Sequence, residues 1–245
     1  MMAVYLFWAL LGAHVAYSLV VNRREPGEPP TGKVKWIHLA LQGPLLWTAA
    51  YIGWHMGVFS RELVSPVYFA LGLAAGHLIF GFSIFATHLS LRDAWAHFFD
   101  FGPIWNFTMD SPSVLTRFIG VAFAEELIWR VVGQTLAIGT LGAYLNERGA
   151  AALGILLVAL AFVVIHKHFF QNTWYVSLEF IAFSVLIGAI YYGTQSFIMA
   201  IVIHALRDIE IAYLEYLEKV EELGDEAQAA IAIDQAYRTQ RMSKI

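Results

Sequence analysis

The sequence predicts an all-α fold: a polytopic transmembrane helical bundle of seven to eight spans, followed by a short amphipathic C-terminal tail. Three observations carry this. Of 245 residues, 59% are hydrophobic. Only 14% are charged, against about 25% in soluble domains. Apolar stretches long enough for a bilayer, about 20 residues each, recur with short polar connections between them. Mean hydropathy is +0.61. A soluble core of this length would need far more polar surface. This excludes an ordinary cytosolic enzyme and a disordered chain. The net charge of −4 and pI near 6.1 give no basic footprint for nucleic acid. Cysteine is absent, which removes disulfides, thiol nucleophiles and thiolate metal sites.

The first span is residues 2–21. It lacks a basic leader, and Arg23 and Arg24 follow it, so it is expected to be retained as a span and not cleaved as a signal peptide. A Pro/Gly loop at 22–35 leads to the second span, 36–59. A turn with Arg61, Glu62 and Pro66 precedes the third, 67–90. Residues 91–112 carry Arg92, Asp93, Asp100 and Asp110 among Trp95, Phe98, Phe99, Phe101, Trp105 and Phe107, the mixture of an interfacial segment. The long apolar stretch 113–144 is interrupted by Glu125, Glu126 and Arg130, and Gly133, Gly139 and Gly142 allow it to bend or break; it reads as one tilted helix or two shorter ones. Spans at 150–170, 174–192 and 197–217 follow.

Beyond Glu210 the pattern changes. Ile211, Leu214, Leu217 and Val220 recur every three residues among glutamates, an amphipathic helix. Gly224 ends it, and Asp225 with Gln228 reads as a capping box for a last helix. The acidic excess of this tail equals the whole net charge. The expected division is 1–112 for the N-terminal helices and interfacial segment, 113–217 for a catalytic helical core, and 218–245 for a cytosolic tail. With the N-terminus outside, Arg23, Arg24, Lys33, Lys35, Arg92 and the basic residues of the tail fall on the cytoplasmic side, and only Arg61 and Arg148 fall outside.

Ionisable groups inside spans are expensive, about 2.5–3.5 kcal/mol each at the helix centre on insertion scales. Here they cluster. Glu126 and Arg130 are four apart, share a helix face and can pair; Glu125 is turned about 100° away and faces elsewhere. His204 and Asp208 repeat the four-residue spacing on another span, and Phe162 and His166 on a third. The other histidines, His14, His38, His55, His77, His88 and His97, read as interhelical hydrogen-bonders or interfacial residues. Lys167 and His168 are expected to snorkel, Glu179 to be a packed acid, and Arg207 to pair with Glu210.

Glu125-Glu126-xxx-Arg130, Phe162-xxx-His166 and His204-xxx-Asp208, in this order on successive apolar helices, resemble the CPBP (Abi) family: the type II CAAX prenyl endopeptidases of the Ras-converting type and their prokaryotic relatives. The resemblance spans roughly residues 113–217. It implies an intramembrane, glutamate-dependent endopeptidase hydrolysing a peptide bond near the membrane, including CAAX-type processing of prenylated or membrane-anchored proteins. By position, Glu125 would be the general base, Glu126 its support with Arg130 as structural ion-pair partner, and Phe162 a supporting residue. His166 would position water, and His204 with the residue four later would bind the oxyanion. That residue is Asp208 here, where eukaryotic members typically have Asn. An amide can donate to an oxyanion and an ionised carboxylate cannot.

The chemistry has its own logic. A Glu in a low-dielectric pocket becomes a stronger base, and a histidine can donate to developing negative charge. No Gly-x-Ser-x-Gly elbow and no His-Glu-x-x-His motif occurs. No cofactor is expected, although two acids, two histidines and an aspartate could hold a divalent metal if they converge, which would make a metal-assisted membrane hydrolase. A non-proteolytic scaffold or bacteriocin-immunity-type role stays open beside hydrolysis, as does proton-coupled transport. The expected partners are a membrane-anchored or prenylated peptide substrate and the lipid bilayer. The expected location is the cell membrane, multi-pass, with the site open to the cytoplasm.

Overall fold

A computed structural model describes residues 1–24, 32–60, 65–88, 90–166, 169–170 and 173–243. The Pro/Gly loop core at 25–31, the turn with Arg61 and Glu62, and Lys167 and His168 lie outside the described residues, as do the side chains of Arg23, Arg24, Lys33, Lys35, His38 and His88. All regular structure among the described residues is helical. In chain order it comprises α1 (Met2–Arg24), α2 (Gly32–His55), α3 (Pro66–His88), α4 (Leu91–His97), α5 (Phe101–Asp110), α6 (Pro112–Glu126), a π-helix (Leu127–Gln134), α7 (Thr135–Leu141), α8 (Glu147–Val164), α9 (Trp174–Thr194), α10 (Phe197–Leu223) and α11 (Glu226–Ser243).

Four of these helices are long and apolar enough to cross a membrane: Met2–Val21, Pro66–Ala86, Glu147–Val164 and Trp174–Thr194. They present large apolar side chains outward. Leu78 and Phe82 on α3, Leu156 and Leu157 on α8, and Leu178 and Leu186 on α9 are exposed. Water would penalise such faces, whereas lipid solvates them. The other predicted spans fall on α2, on the run from α6 through α7, and on α10. The last two carry the charged groups of the motifs, which lower their apolarity. The 113–144 stretch is helical from Pro112 to Leu141, with a change of hydrogen-bond register in place of a break.

The interfacial segment forms two short helices. Ser90 caps α4 by accepting from the Asp93 N–H at 3.2 Å. Trp95, Phe99, Phe101 and Trp105 are exposed, while Phe107 and Ile104 face inward, a sided pattern that suits a headgroup boundary.

The chain divides into two compact units, 1–65 with 124–197 and 66–123 with 198–245. In the first, α1 packs on α2, α2 on the π-helix, and α8 on α7 and α9. Its core includes Phe7, Leu45, Trp129, Phe162 and Ile187, all nearly inaccessible. Gly154 of α8 meets α7 closely: a Cβ there would lie 2.6 Å from Ile138 Cγ1 and 3.2 Å from its backbone nitrogen.

In the second unit, Ile104, Phe107, Val114, Ile209, Ala212, Tyr213 and Ile233 form one core, and Phe80, Ile84 and Ala94 another, with Ile211 and Leu214 against it. The first half of the apolar stripe of α10, Ile211 and Leu214, is therefore used internally, while Leu217 stays exposed. Gly224, at φ +68°, closes α10 in the left-handed region. Its N–H donates to the Val220 carbonyl at 2.8 Å. Asp225 then caps α11, accepting from the Gln228 N–H at 2.9 Å. The Gln228 side chain donates to the Asp225 carboxylate, unlike a full capping box. The last helix folds back through Ile233 and through Asp234, which accepts from the Ser113 N–H at 2.8 Å.

Candidate active site

The first unit gathers Glu125, Glu126, Arg130, Phe162 and His166. Glu126 is the last residue of α6 and Arg130 lies in the π-helix. Arg130 Nε is 3.4 Å from Glu126 Oε2, and both side chains are fully buried. Two further groups hold the guanidinium. Its Nη2 donates to Ser184 Oγ at 3.1 Å, and Ser184 lies near the Ala159 carbonyl at 3.4 Å. The Phe162 ring lies beneath Arg130 Cζ, 4.7 Å from its centroid, a desolvated cation–π contact. α8 and α9 thus both clamp a charge that belongs to the π-helix. Arg suits this because its planar fork pairs, donates and stacks at once.

Glu125 points elsewhere. His166, just beyond the end of α8, brings Nε2 to 3.7 Å from Glu125 Oε2, and the two side chains keep 20% and 25% exposure. His166 Nδ1 donates to the Phe162 carbonyl at 2.7 Å. In the neutral ring this fixes the tautomer and turns the Nε2 lone pair toward Glu125. Phe162 and Phe180 flank the imidazole, at 4.5 and 5.2 Å between centroids. The gap of 3.7 Å exceeds a direct hydrogen bond and suits a bridging polar group.

His204 and Asp208 lie in the second unit, on α10. His204 Nε2 is 3.7 Å from Asp208 Oδ2, with side-chain exposures of 6% and 19%. Arg207 Nη1 is 4.0 Å from the other carboxylate oxygen, Oδ1. The expected Arg207–Glu210 pair does not form, because Glu210 is engaged by His77. A cleft of about 780 Å³ between α5, α10 and α11, lined by Phe107, Tyr213, Tyr216 and Glu226 among others, contains none of the predicted site residues.

Ser184 and Phe180 were not singled out from the sequence. Both lie on α9 among mostly apolar residues, where nothing local marks a serine as the partner of a charge on another helix.

The fold and these polar clusters define an all-helical membrane protein with ionisable groups held inside its helices. Residues 107–209, under half of the chain, match the family described as type II CAAX prenyl endopeptidase, Rce1-like. That segment contains all three motifs, so the chain carries an Rce1-like segment of the CAAX protease type. No curated protein and no solved structure matches the chain.

Proposed function

We propose that the protein is an intramembrane endopeptidase using Glu125 as general base. The observation that carries this is the contrast between adjacent acids: Glu126 is neutralised by a fully buried Arg130, while Glu125 faces His166 in a partly accessible position. The family match over the same helices supports it.

In this reading a water sits between Glu125 and His166 Nε2. Glu125 takes its proton as the oxygen adds to the peptide carbonyl carbon, and the carbonyl electrons move onto oxygen. The resemblance gives His204 the oxyanion-binding role, with Asp208 orienting its ring. Collapse breaks the C–N bond, and Glu125 returns the proton to the leaving amine. The reading calls for no metal. The substrate would be a membrane-anchored or prenylated peptide, reached from the cytoplasmic side that the basic loops indicate.

The test is Glu125→Gln, which keeps shape and loses the proton acceptor. Cleavage of a membrane-anchored peptide by the purified protein should fall about 10²–10⁴-fold, with the thermal midpoint preserved. Undiminished cleavage refutes the assignment and turns attention to a scaffold or immunity role.

A further inference from the structure

The second unit contains a buried polar cluster that the endopeptidase reading does not use. His77 of α3, His97 at the end of α4 and Glu210 of α10 are 8%, 3% and 0% exposed. His77 Nδ1 lies 2.5 Å from Glu210 Oε1. His97 Nε2 lies 3.6 Å from the same oxygen. One donor atom from each residue lies within 4.8 Å of the other two.

A plain His–Glu hydrogen bond accounts for only part of this. His97 Nε2 and Glu210 Oε2 are buried without a hydrogen-bond partner, and leaving such groups unpaired is costly. The same two atoms face the cluster's shared oxygen or belong to its carboxylate, so one cation satisfies both. The surroundings match a metal's outer shell. His77 Nε2 is 3.5 Å from the Phe98 carbonyl, the partner that turns the Nδ1 lone pair inward. Phe80 packs on the His97 imidazole and Phe101 on that of His77, at 5.2 and 5.4 Å between centroids.

The donor set selects the ion. Imidazole nitrogens with one carboxylate suit zinc, whereas calcium and magnesium prefer all-oxygen shells. Zinc–ligand bonds of about 2.0–2.2 Å put tetrahedral donors about 3.3–3.5 Å apart. The observed separations bracket that range, so small side-chain movements close the shell.

We propose that His77 Nδ1, His97 Nε2 and the Glu210 carboxylate bind one Zn²⁺, with Glu210 able to supply both oxygens and so complete four donors. Its role is structural. α4 has only seven residues, too few for stability alone, and the ion would tie it to α3 and α10.

The test uses the full chain, purified in detergent with a tag that lacks histidines and stripped with chelator. Dialysed against micromolar ZnCl₂, wild type should retain one equivalent of zinc by elemental mass spectrometry, and Co²⁺ should give the intense visible bands of a four-coordinate site. Zinc should raise the thermal midpoint. His97→Gln, His77→Ala and Glu210→Gln should each weaken uptake at least about tenfold, while Glu125→Gln and His204→Ala should keep the full equivalent. Substoichiometric zinc in wild type overturns the proposal, as does equal uptake by folded His97→Gln. Should the variants not fold, the wild-type zinc stoichiometry and cobalt spectrum decide alone: absence of four-coordinate bands overturns it.

Discussion

Arg130→Ala is the sharpest perturbation of the first unit. The substitution leaves Glu126 fully buried opposite a void. It also removes the donor to Ser184 and the charge over Phe162. Breaking a buried pair from one side costs about 3–5 kcal/mol, most of it the stranded charge. For a chain of this size each kcal/mol moves Tm by about 2–4 °C, so a drop on the order of 10 °C is expected. The assay is a thermal melt of detergent-purified protein followed by intrinsic tryptophan fluorescence. Adding Glu126→Gln should recover part of the loss, because a neutral amide no longer demands a counter-charge. Arg130→Lys should fall between, since a point charge cannot pair, donate and stack together. A melt of Arg130→Ala within about 2 °C of wild type would refute the claim that the buried pair holds this unit together.

Asp208→Asn should lower cleavage roughly 10–100-fold, because it removes a negative charge 3.7 Å from His204 Nε2 and 4.0 Å from Arg207 Nη1, worth a few kcal/mol through space at a partly exposed site, and with it the orientation of the imidazole. Equal or faster turnover would instead mean that the position serves the oxyanion directly. Gly154→Ala should destabilise by about 1–3 kcal/mol, since the new methyl meets Ile138 at 2.6 Å; an unchanged chemical-denaturation midpoint would show that α7 can shift away. Tyr237 on α11 donates to Glu215 at 3.0 Å, and burial, then the Glu215 charge, raises its pKa above the usual 10.0. The folded state therefore keeps a proton that the unfolded chain loses near pH 10. Its stabilisation is present below that pH and lost as pH climbs toward the folded value. Tyr237→Phe should flatten this alkaline loss in melts taken from pH 8 to 11, and a slope identical to wild type would contradict it.

What the sequence disclosed was local. Glu126 with Arg130 and His204 with Asp208 lie one helical turn apart, and a single period finds such pairs. The Gly224 stop and the Asp225 cap were legible for the same reason, since a left-handed glycine and a carboxylate three residues before an N–H act through the adjacent backbone. What escaped was non-local or depended on hydrogen-bond register. His77 and Glu210 are 133 positions apart, and no spacing rule links them. Arg207 and Glu210 suggested a pair because they are three apart, but a histidine from α3 claims the glutamate. The amphipathic pattern of the tail carries no sign of what its apolar face meets, and Ile233 and Asp234 show that this face packs back on the second unit. The number of spans was read from apolarity alone, and apolarity weakens in the helices that carry the motif charges.

The π-helix shows why two adjacent glutamates can hold different roles. All eight of its residues are buried, so the widened turn sits inside the unit. Gly133 fits this geometry: a Cβ there would lie 2.9 Å from the carbonyl oxygen of Ile128, five residues earlier, where a longer side chain would crowd the register. The widened turn changes the angular position of every residue after Glu126 and places Arg130 among Glu126, Ser184 and Phe162 together. A π-helix is less favourable than an α-helix and occurs mostly as short segments at functional sites, so its burial here requires compensation. The Arg130 clamp supplies that compensation from α8 and α9. Phe162 has a part on both sides of the division: its ring supports the Arg130 charge that fixes Glu126, and its carbonyl accepts the His166 N–H that aims Nε2 at Glu125. One residue thereby couples the locked acid to the accessible one, and the geometry of the Glu125–His166 pair depends on the integrity of the ion pair behind it.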